Sequence, residues 1–344
     1  MKRAHGDRII VSLILTLLWG NLALVPSRQE STPPPPRATS EPQEAVLSLE
    51  STLVDVVFTV TDAQNRPVTD LRREEVRIFE DGVEQKIEFF GRTQELPMLV
   101  ALAVDFSGSQ EFTWPKERAA AERFFAQFFR WGKDHAALLT FRGVTRLHCG
   151  LTSDERRLRD ALRTLVREDT GYASQGTALY DAAYIALEEV LDGALAQRVL
   201  KRHEHRIRRA LILITDGHDT SSRYAEADVI ARAQRSGILI YAIGVSDSFR
   251  FADVNARTLD ALTTLTGGRA YYPTDERTLF DAFRQIAEDL SSQFLLAYYP
   301  TNTARDGGFR RLQVQILGRP GAVARHRAGY FAPKASESEG RRGQ

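Results

Sequence analysis

Two carboxylates and three hydroxyls in this chain sit where apolar runs end. Asp105, Ser107 and Ser109 form "DFSGS" directly after the apolar stretch Met98 to Val104. Asp216 ends a second such run, "ALILITDGHD", and is followed by Gly217. Thr177 follows a glycine in "SQGTALYDAA", where a helix is expected to start. Taken singly, each has an ordinary reading. Asp, Ser and Gly favour turns, and Thr177 would serve as the N-cap of its helix. Taken together they are five oxygen donors with no His or Cys among them. Oxygen-only ligation selects Mg²⁺, Ca²⁺ or Mn²⁺ rather than zinc. Catalysis would need a base, a nucleophile or a poised water with a proton acceptor. No such set is evident in these segments.

The surrounding residues read more plainly. His218 and Asp219 follow Asp216 as loop residues, and Asp181 and Glu189 fit an exposed helix face. The basic stretch "KRHEHRIRR", Lys201 to Arg209, reads as a solvated connector, with an anionic partner or lipid surface as the alternative. An Asp after a strand with Ser or Thr nearby also marks Asp-nucleophile phosphoryl-transfer enzymes. That chemistry wants a second acid two residues after Asp105 and a lysine in the site. Position 107 is Ser, and no lysine stands at a suitable strand end.

Three separated segments can share one site only if a fold brings their ends together. After Pro97 the pattern alternates between strands and helices. Strands are expected at Leu99 to Val104, Ala210 to Thr215, Ile238 to Val245 and Arg269 to Tyr272. A hairpin is expected across "AALLTFRGVTRLHCGL", turning at Arg142-Gly143. Helices are expected at Pro115 to Arg130, Ser153 to Glu168, Thr177 to Val199, Ala225 to Arg235, Val254 to Thr266 and Glu276 to Ser291. Phe124, Phe125, Phe128 and Phe129 line one helix face and read as core. This alternation implies a doubly wound α/β architecture, a mostly parallel sheet with helices on both faces. In such sheets ligands bind beyond the carboxyl ends of the strands. Asp105 and Asp216 lie there.

The flanks are β-rich. "STLVDVVFTVTD" alternates through Val54, Val56, Phe58 and Val60, and Asp81-Gly82 sits between two alternating runs as a hairpin turn. Strands return in "FLLAYYP", "RRLQVQIL" and "AVARHRAGYF". Three or four strands on either side alone bury little apolar surface. Together they make a β-sandwich, discontinuous in sequence, with the α/β unit inserted.

A net charge of +1 over 344 residues gives no argument for nucleic acid. The single cysteine, Cys149, lies in an expected strand and reads as a buried, inert thiol. Lys2, Arg3 and Arg8 precede an apolar run from Ile9 to Val25, as in a secretory signal, with a cut expected after Ser27. A spanning helix needs about 20 mainly apolar residues. Gly20 and Asn21 interrupt a shorter run, so cleavage is favoured over retention as a membrane anchor, and no cysteine follows to carry a lipid. Arg28 to Glu44, "RQESTPPPPRATSEPQE", reads as an extended spacer.

Asp105-Phe106-Ser107-Gly108-Ser109, Thr177 and the "TDG" at Asp216 resemble the metal-ion-dependent adhesion site of von Willebrand factor type A (VWFA) domains. The flanking "VTDAQNRPV", "EDGVEQKIEFF" and closing "GYF" resemble the bacterial VWFA-related family described chiefly in acidobacteria. The resemblance implies that Ser107 and Ser109 bind a metal directly and that Asp105 holds it partly through water. It also implies that Thr177 and Asp216 enter or leave direct coordination with ligand state, and that an open position accepts a carboxylate from a partner protein. The expected organisation is a signal peptide at 1–27, a Pro-rich linker at 28–46, sandwich strands at 47–96 and 293–332, a VWFA domain at 97–292 and a disordered tail at 333–344. The function expected is that of an exported, non-enzymatic, metal-dependent adhesion or envelope-assembly module, secreted or held in the cell envelope. The alternatives are the phosphoryl-transfer enzyme above and a structural envelope protein whose metal site stays unoccupied.

Overall fold

The computed structural model describes residues 53–107, 113–165, 176–203, 206–246 and 249–334. The expected signal segment, almost all of the residues before the first strand, Ser109, and the chain beyond residue 334 lie outside the described residues.

The first strands are β1 (Val54–Thr61), β2 (Val76–Glu80), β3 (Val83–Gln85) and β4 (Ile87–Arg92). The chain then enters the α/β unit with β5 (Met98–Asp105), α1 (Trp114–Phe128), β6 (His135–Phe141), β7 (Thr145–Thr152) and α2 (Glu155–Thr164). It continues through α3 (Leu179–Ile185), α4 (Ala194–Arg202), β8 (Arg208–Thr215), α5 (Glu226–Ser236), β9 (Leu239–Gly244), α6 (Ala256–Thr264), β10 (Ala270–Tyr271) and α7 (Glu276–Ser291). It closes with β11 (Phe294–Tyr298), β12 (Phe309–Ile316), β13 (Val323–His326) and β14 (Gly329–Phe331).

The central sheet has the order β10-β9-β8-β5-β6-β7. All its neighbours pair in parallel except β7, which returns antiparallel to β6. Because successive strand residues point to opposite faces, β5 serves two cores. Val100, Leu102 and Val104 pack with Phe124 and Phe125 of α1 and Phe283 of α7. Leu99, Ala101 and Ala103 pack with Leu179 of α3, Val229 of α5 and Leu259 of α6. Helices therefore cover both faces, as the continuous aliphatic character of β5 and β8 requires. Cys149 is a buried free thiol on β7, and burial pushes its pKa up.

Strands from both ends of the chain build the second core. One antiparallel sheet runs β13-β1-β11-β4 and the other β14-β12-β2-β3. Val56 and Phe58 of β1, Ile78 of β2, Leu296 of β11 and Leu312 of β12 share one hydrophobic cluster between them. The β2–β3 turn falls on Asp81-Gly82, both at positive φ, which is the geometry a two-residue hairpin turn demands. The alternating run after this turn does not continue as one strand. It divides at Lys86, with β3 pairing with β2 and β4 pairing with β11 in the opposite sheet.

Four other expectations are corrected. The helix expected from Thr177 to Val199 is broken into α3, a π-helical stretch at Ala186–Leu191, and α4. The break is at Asp192-Gly193, where any Cβ on Gly193 would collide with the Glu189 carbonyl oxygen. The Lys201–Arg209 stretch is not wholly a solvated connector. Arg208 is buried, donating to the carbonyls of Leu290 (2.6 Å) and Leu96 (3.0 Å), and Arg209 pairs with Asp192 at 2.7 Å. Asp181 is half-buried rather than solvated, because two backbone N–H groups donate to it (below). Pro333 and Lys334, expected in the tail, are tied to the 306–308 loop through the Asp306–Lys334 bridge and the Gly307 N–H to Pro333 carbonyl bond.

Candidate metal centre

Strands β5 and β8 are adjacent and parallel, so their carboxyl ends carry Asp105 and Asp216 to the same edge of the sheet. Asp105 is the last residue of β5 and is 1% exposed. Its Oδ1 accepts the backbone N–H of Ser107 at 2.8 Å, and its Oδ2 accepts the Thr215 hydroxyl at 2.7 Å. Burial pushes the Asp105 carboxyl up to about 6, partly offset by those hydrogen bonds, and the negative charge of Asp216 pushes the same way. The two carboxylates are thus close enough to repel each other. A cation placed beside them would relieve that repulsion.

Asp216 is buried just past β8, and its Oδ1 accepts the backbone N–H of His218 at 3.0 Å. The next residue, Gly217, has φ +81°, and a Cβ there would come within 2.9 Å of the Asn255 carbonyl oxygen and of Leu259 Cγ. Asn255 N–H donates to the Asp216 carbonyl at 2.7 Å. The Asp-Gly pair is therefore a tight turn pressed against α6, which only glycine at position 217 allows.

Thr177 arrives from the other face. Helix α3 is capped by Ala178, whose side chain makes no capping bond, so Thr177 is not the N-cap that its position suggested. Its backbone N–H donates to Thr220 Oγ1 at 2.8 Å, and its carbonyl accepts from Thr220 and Ser221 at 2.9 and 3.2 Å. These bonds stitch Thr177 to the loop that follows Asp216. Its own hydroxyl has no hydrogen-bond partner among the described residues, although the residue is only 7% exposed. Ser107, also buried, stands two residues past the end of β5, beside Phe106, whose N–H donates to the Phe141 carbonyl of β6 at 2.7 Å.

Four of the five expected residues, Asp105, Ser107, Thr177 and Asp216, therefore lie at the end of adjacent strands or on a loop bonded to them. Ser109, the fifth, lies outside the described residues. Two carboxylates with hydroxyls make a hard-oxygen donor set, which suits a small divalent cation. Among the described residues no group of three or more His, Cys, Asp and Glu side chains is placed to hold a metal. A carboxylate- or histidine-rich centre is thus absent there, and the fit rests on hydroxyls.

A model of the von Willebrand factor type A domain matches residues 100–285. This chain belongs to that family.

The VWA fold is shared with solved structures of low sequence identity. One is an aerotolerance-related membrane protein from Bacteroides fragilis NCTC 9343, with 17% identity over 55% of this chain and 98% of that one and a TM-score of 0.43. Another is the conserved hypothetical protein BatB from Bacteroides thetaiotaomicron, with 17% identity, 56% and 99% coverage and a TM-score of 0.42. A third is proximal thread matrix protein 1 from the mussel byssus with a zinc-occupied MIDAS motif, with 15% identity, 60% and 48% coverage and a TM-score of 0.48. The chain spans about half the length of that mussel protein. No curated protein matches.

Two parts of this VWA site were missed by sequence reasoning. Thr215, fully buried, links the ends of β5 and β8 through Asp105 and also accepts the Gly217 N–H at 3.1 Å. A hydroxyl closing the otherwise aliphatic run "ALILI" was the available signal. Asp181 is the second. Its Oδ1 accepts the N–H groups of Arg223 and Tyr224 at 2.8 and 3.0 Å, fixing the loop after Asp216. Nothing local in the sequence announces that role.

Proposed function

We propose that this protein is an exported, metal-dependent protein-binding module rather than an enzyme. Asp105, Ser107, Ser109, Thr177 and Asp216 would hold Mg²⁺, or Ca²⁺ or Mn²⁺ in its place. When bound, the cation supplies an electrophilic position for an Asp or Glu side chain of a partner protein. The chain's own residues do the rest. Thr215 and the Ser107 N–H orient Asp105, Gly217 lets Asp216 turn inward, and the Thr220 loop positions Thr177. The observation that carries the reading is the convergence of Asp105 and Asp216 at the ends of adjacent parallel strands, with Ser107 and Thr177 on segments hydrogen-bonded to those ends.

The partner would be engaged in adhesion or in assembly of an envelope complex. Export rests on the N-terminal charged and apolar run; among the described residues no helix is long and apolar enough to cross a membrane. N-terminal sequencing of the mature protein is expected to begin near Arg28. Retention of Met1 in a membrane fraction would make the segment an anchor.

Metal titration tests the site. A ligand that binds only the folded state stabilises it by about 2.7 kcal/mol at 100 times its Kd. Tm is expected to rise with Mg²⁺ in the native protein and to stay flat in Asp105→Ala. Both proteins are expected to fold in chelator, since the sheet has its own apolar cores. A Tm indifferent to Mg²⁺, Ca²⁺, Mn²⁺ and Zn²⁺ alike would leave a structural protein with an unoccupied site.

A further inference from the structure

The loop that follows Asp216 is anchored to helix α3 far more thoroughly than a connecting turn requires. Besides the Thr177–Thr220 bonds, Tyr180 N–H donates to Asp219 Oδ1 (3.3 Å), and Asp181 N–H to Ser222 Oγ (3.0 Å). Asp181 in turn holds the backbone of Arg223 and Tyr224. At the end of this loop the Tyr224 ring stacks face to face on Tyr184 of α3, with centroids 3.8 Å apart and planes 9° from parallel. Tyr184 covers one face of Tyr224, which nevertheless remains 40% exposed. Beside it, Arg223 is exposed, and its side chain has no hydrogen-bond or ion-pair partner among the described residues. A large aromatic ring held rigid, half uncovered and next to an unpaired cation costs little further entropy to use in binding.

We infer that Tyr224 and Arg223 form a second recognition subsite for the partner: Tyr224 stacks an aromatic side chain of an extended acidic segment whose carboxylate occupies the metal site. This rests on the metal-dependent reading above and adds spacing and side-chain identity to it. The segment from Ala178 to Tyr184 spans six residues of helical rise, about 9 Å. An extended peptide covers that distance in about three residues. The aromatic residue therefore stands about three positions from the carboxylate. Arg223 disfavours a cationic side chain over Tyr224 and favours a further acidic residue between the two anchors.

The test uses the full chain as bait for a displayed library of random twelve-residue peptides in Mg²⁺, with parallel selections in chelator and on Tyr224→Ala, Tyr224→Phe and Arg223→Ala. Native bait is expected to enrich chelator-sensitive peptides carrying Asp or Glu with an aromatic residue about three positions away. Tyr224→Phe should keep that preference, and Tyr224→Ala should weaken synthetic copies of the winning peptides roughly threefold to tenfold. Arg223→Ala should relax only the demand for a second acid. Chelator-sensitive acidic peptides with no aromatic preference, or with one that survives Tyr224→Ala, overturn the subsite and leave the metal reading intact. Enrichment that ignores chelator, or no acidic enrichment at all, overturns both.

Discussion

Thr215 Oγ1 donates to Asp105 Oδ2 across 2.7 Å, joining residues 110 positions apart at the ends of neighbouring parallel strands. The bond is buried, and its acceptor is a carboxylate already crowded by Asp216. The site is therefore built from within the core outwards, with the hydroxyl of one strand aiming the acid of the next.

Replacing Thr215 by Val keeps the shape and removes the donor. A buried hydrogen bond to a charged group contributes about 1.5–3 kcal/mol. Thr215→Val is expected to lose roughly that much stability in urea denaturation. It should also weaken the Mg²⁺-dependent rise in Tm, because Asp105 is then free to turn. Unchanged stability and metal response together would remove Thr215 from the site.

Gly217→Ala introduces a Cβ at positive φ and within 2.9 Å of both Asn255 and Leu259. Strain in that backbone region costs of order 1–3 kcal/mol. The variant should unfold at lower denaturant concentration and should lose metal response, since relief of the clash moves Asp216. If Gly217→Ala keeps full metal response, the turn does not position the carboxylate.

Asp192 sits between two guanidinium groups, paired at 2.7 Å with Arg209 and 2.6 Å with Arg232. Burial works to raise its pKa, but the Arg232 hydrogen bond and the charges of Arg209 and Arg232 outweigh it and hold the carboxyl low. Asp192→Ala leaves the largely buried Arg209 without its carboxylate, while Arg232 keeps only the Glu188 carboxylate among the described residues. Breaking such a pair costs about 3–5 kcal/mol. Denaturation should report a loss of that order, and the double variant Asp192→Ala, Arg209→Met should recover part of it.

Glu75 and Arg319 join the two ends of the chain. Arg319 Nε lies 2.8 Å from Glu75 Oε1, and the Arg72 N–H donates to Oε2 at 2.8 Å. The Arg319 hydrogen bond, aided by Arg72, holds the Glu75 carboxyl down to about 2 against an ordinary 4.5. A depressed carboxylate adds stability that is fully present above its unfolded pKa and is lost as pH falls through the folded one. The stability difference between native protein and Glu75→Gln is therefore expected to be constant above pH about 5 and to shrink between about 4.5 and 2. A difference that grows on acidification would contradict the assignment.

Aliphatic periodicity made most of the architecture legible. Val100, Leu102 and Val104 against Leu99, Ala101 and Ala103 already describe a strand covered on both sides, and the acids after β5 and β8 mark its binding edge. Failures came where long-range pairing overrode local pattern. Asp192 and Gly193 interrupt a helix whose periodicity runs through them, because Arg209 and Arg232 from distant elements capture the carboxylate. Arg208 looked solvated because it is charged, yet carbonyls from α7 and the Pro97 approach accept from its two terminal nitrogens inside. Lys86 splits an alternating run between two sheets, a choice made by β11 rather than by any residue nearby. In the site, Asp105, Thr177 and Asp216 were readable as strand-end or helix-start residues, whereas Thr215 and Asp181 act through partners that only the folded chain supplies.

Strand β4, through which the chain enters the α/β unit, pairs with β11, through which it leaves, from Arg92 opposite Phe294 onwards. The Thr93 backbone N–H and hydroxyl both donate to the Gln293 carbonyl, at 3.0 and 3.1 Å, and close the gap. This staple has a mechanical meaning. Tension applied between the two ends of the polypeptide would load the sandwich ladder and bypass the inserted unit, whose entry and exit are already clasped. Tension arriving through a bound partner would instead enter at the strand ends of the insert and reach that clasp last. Such an arrangement lets the terminal strands be pulled while the sheet edge at Asp105 and Asp216 keeps its shape.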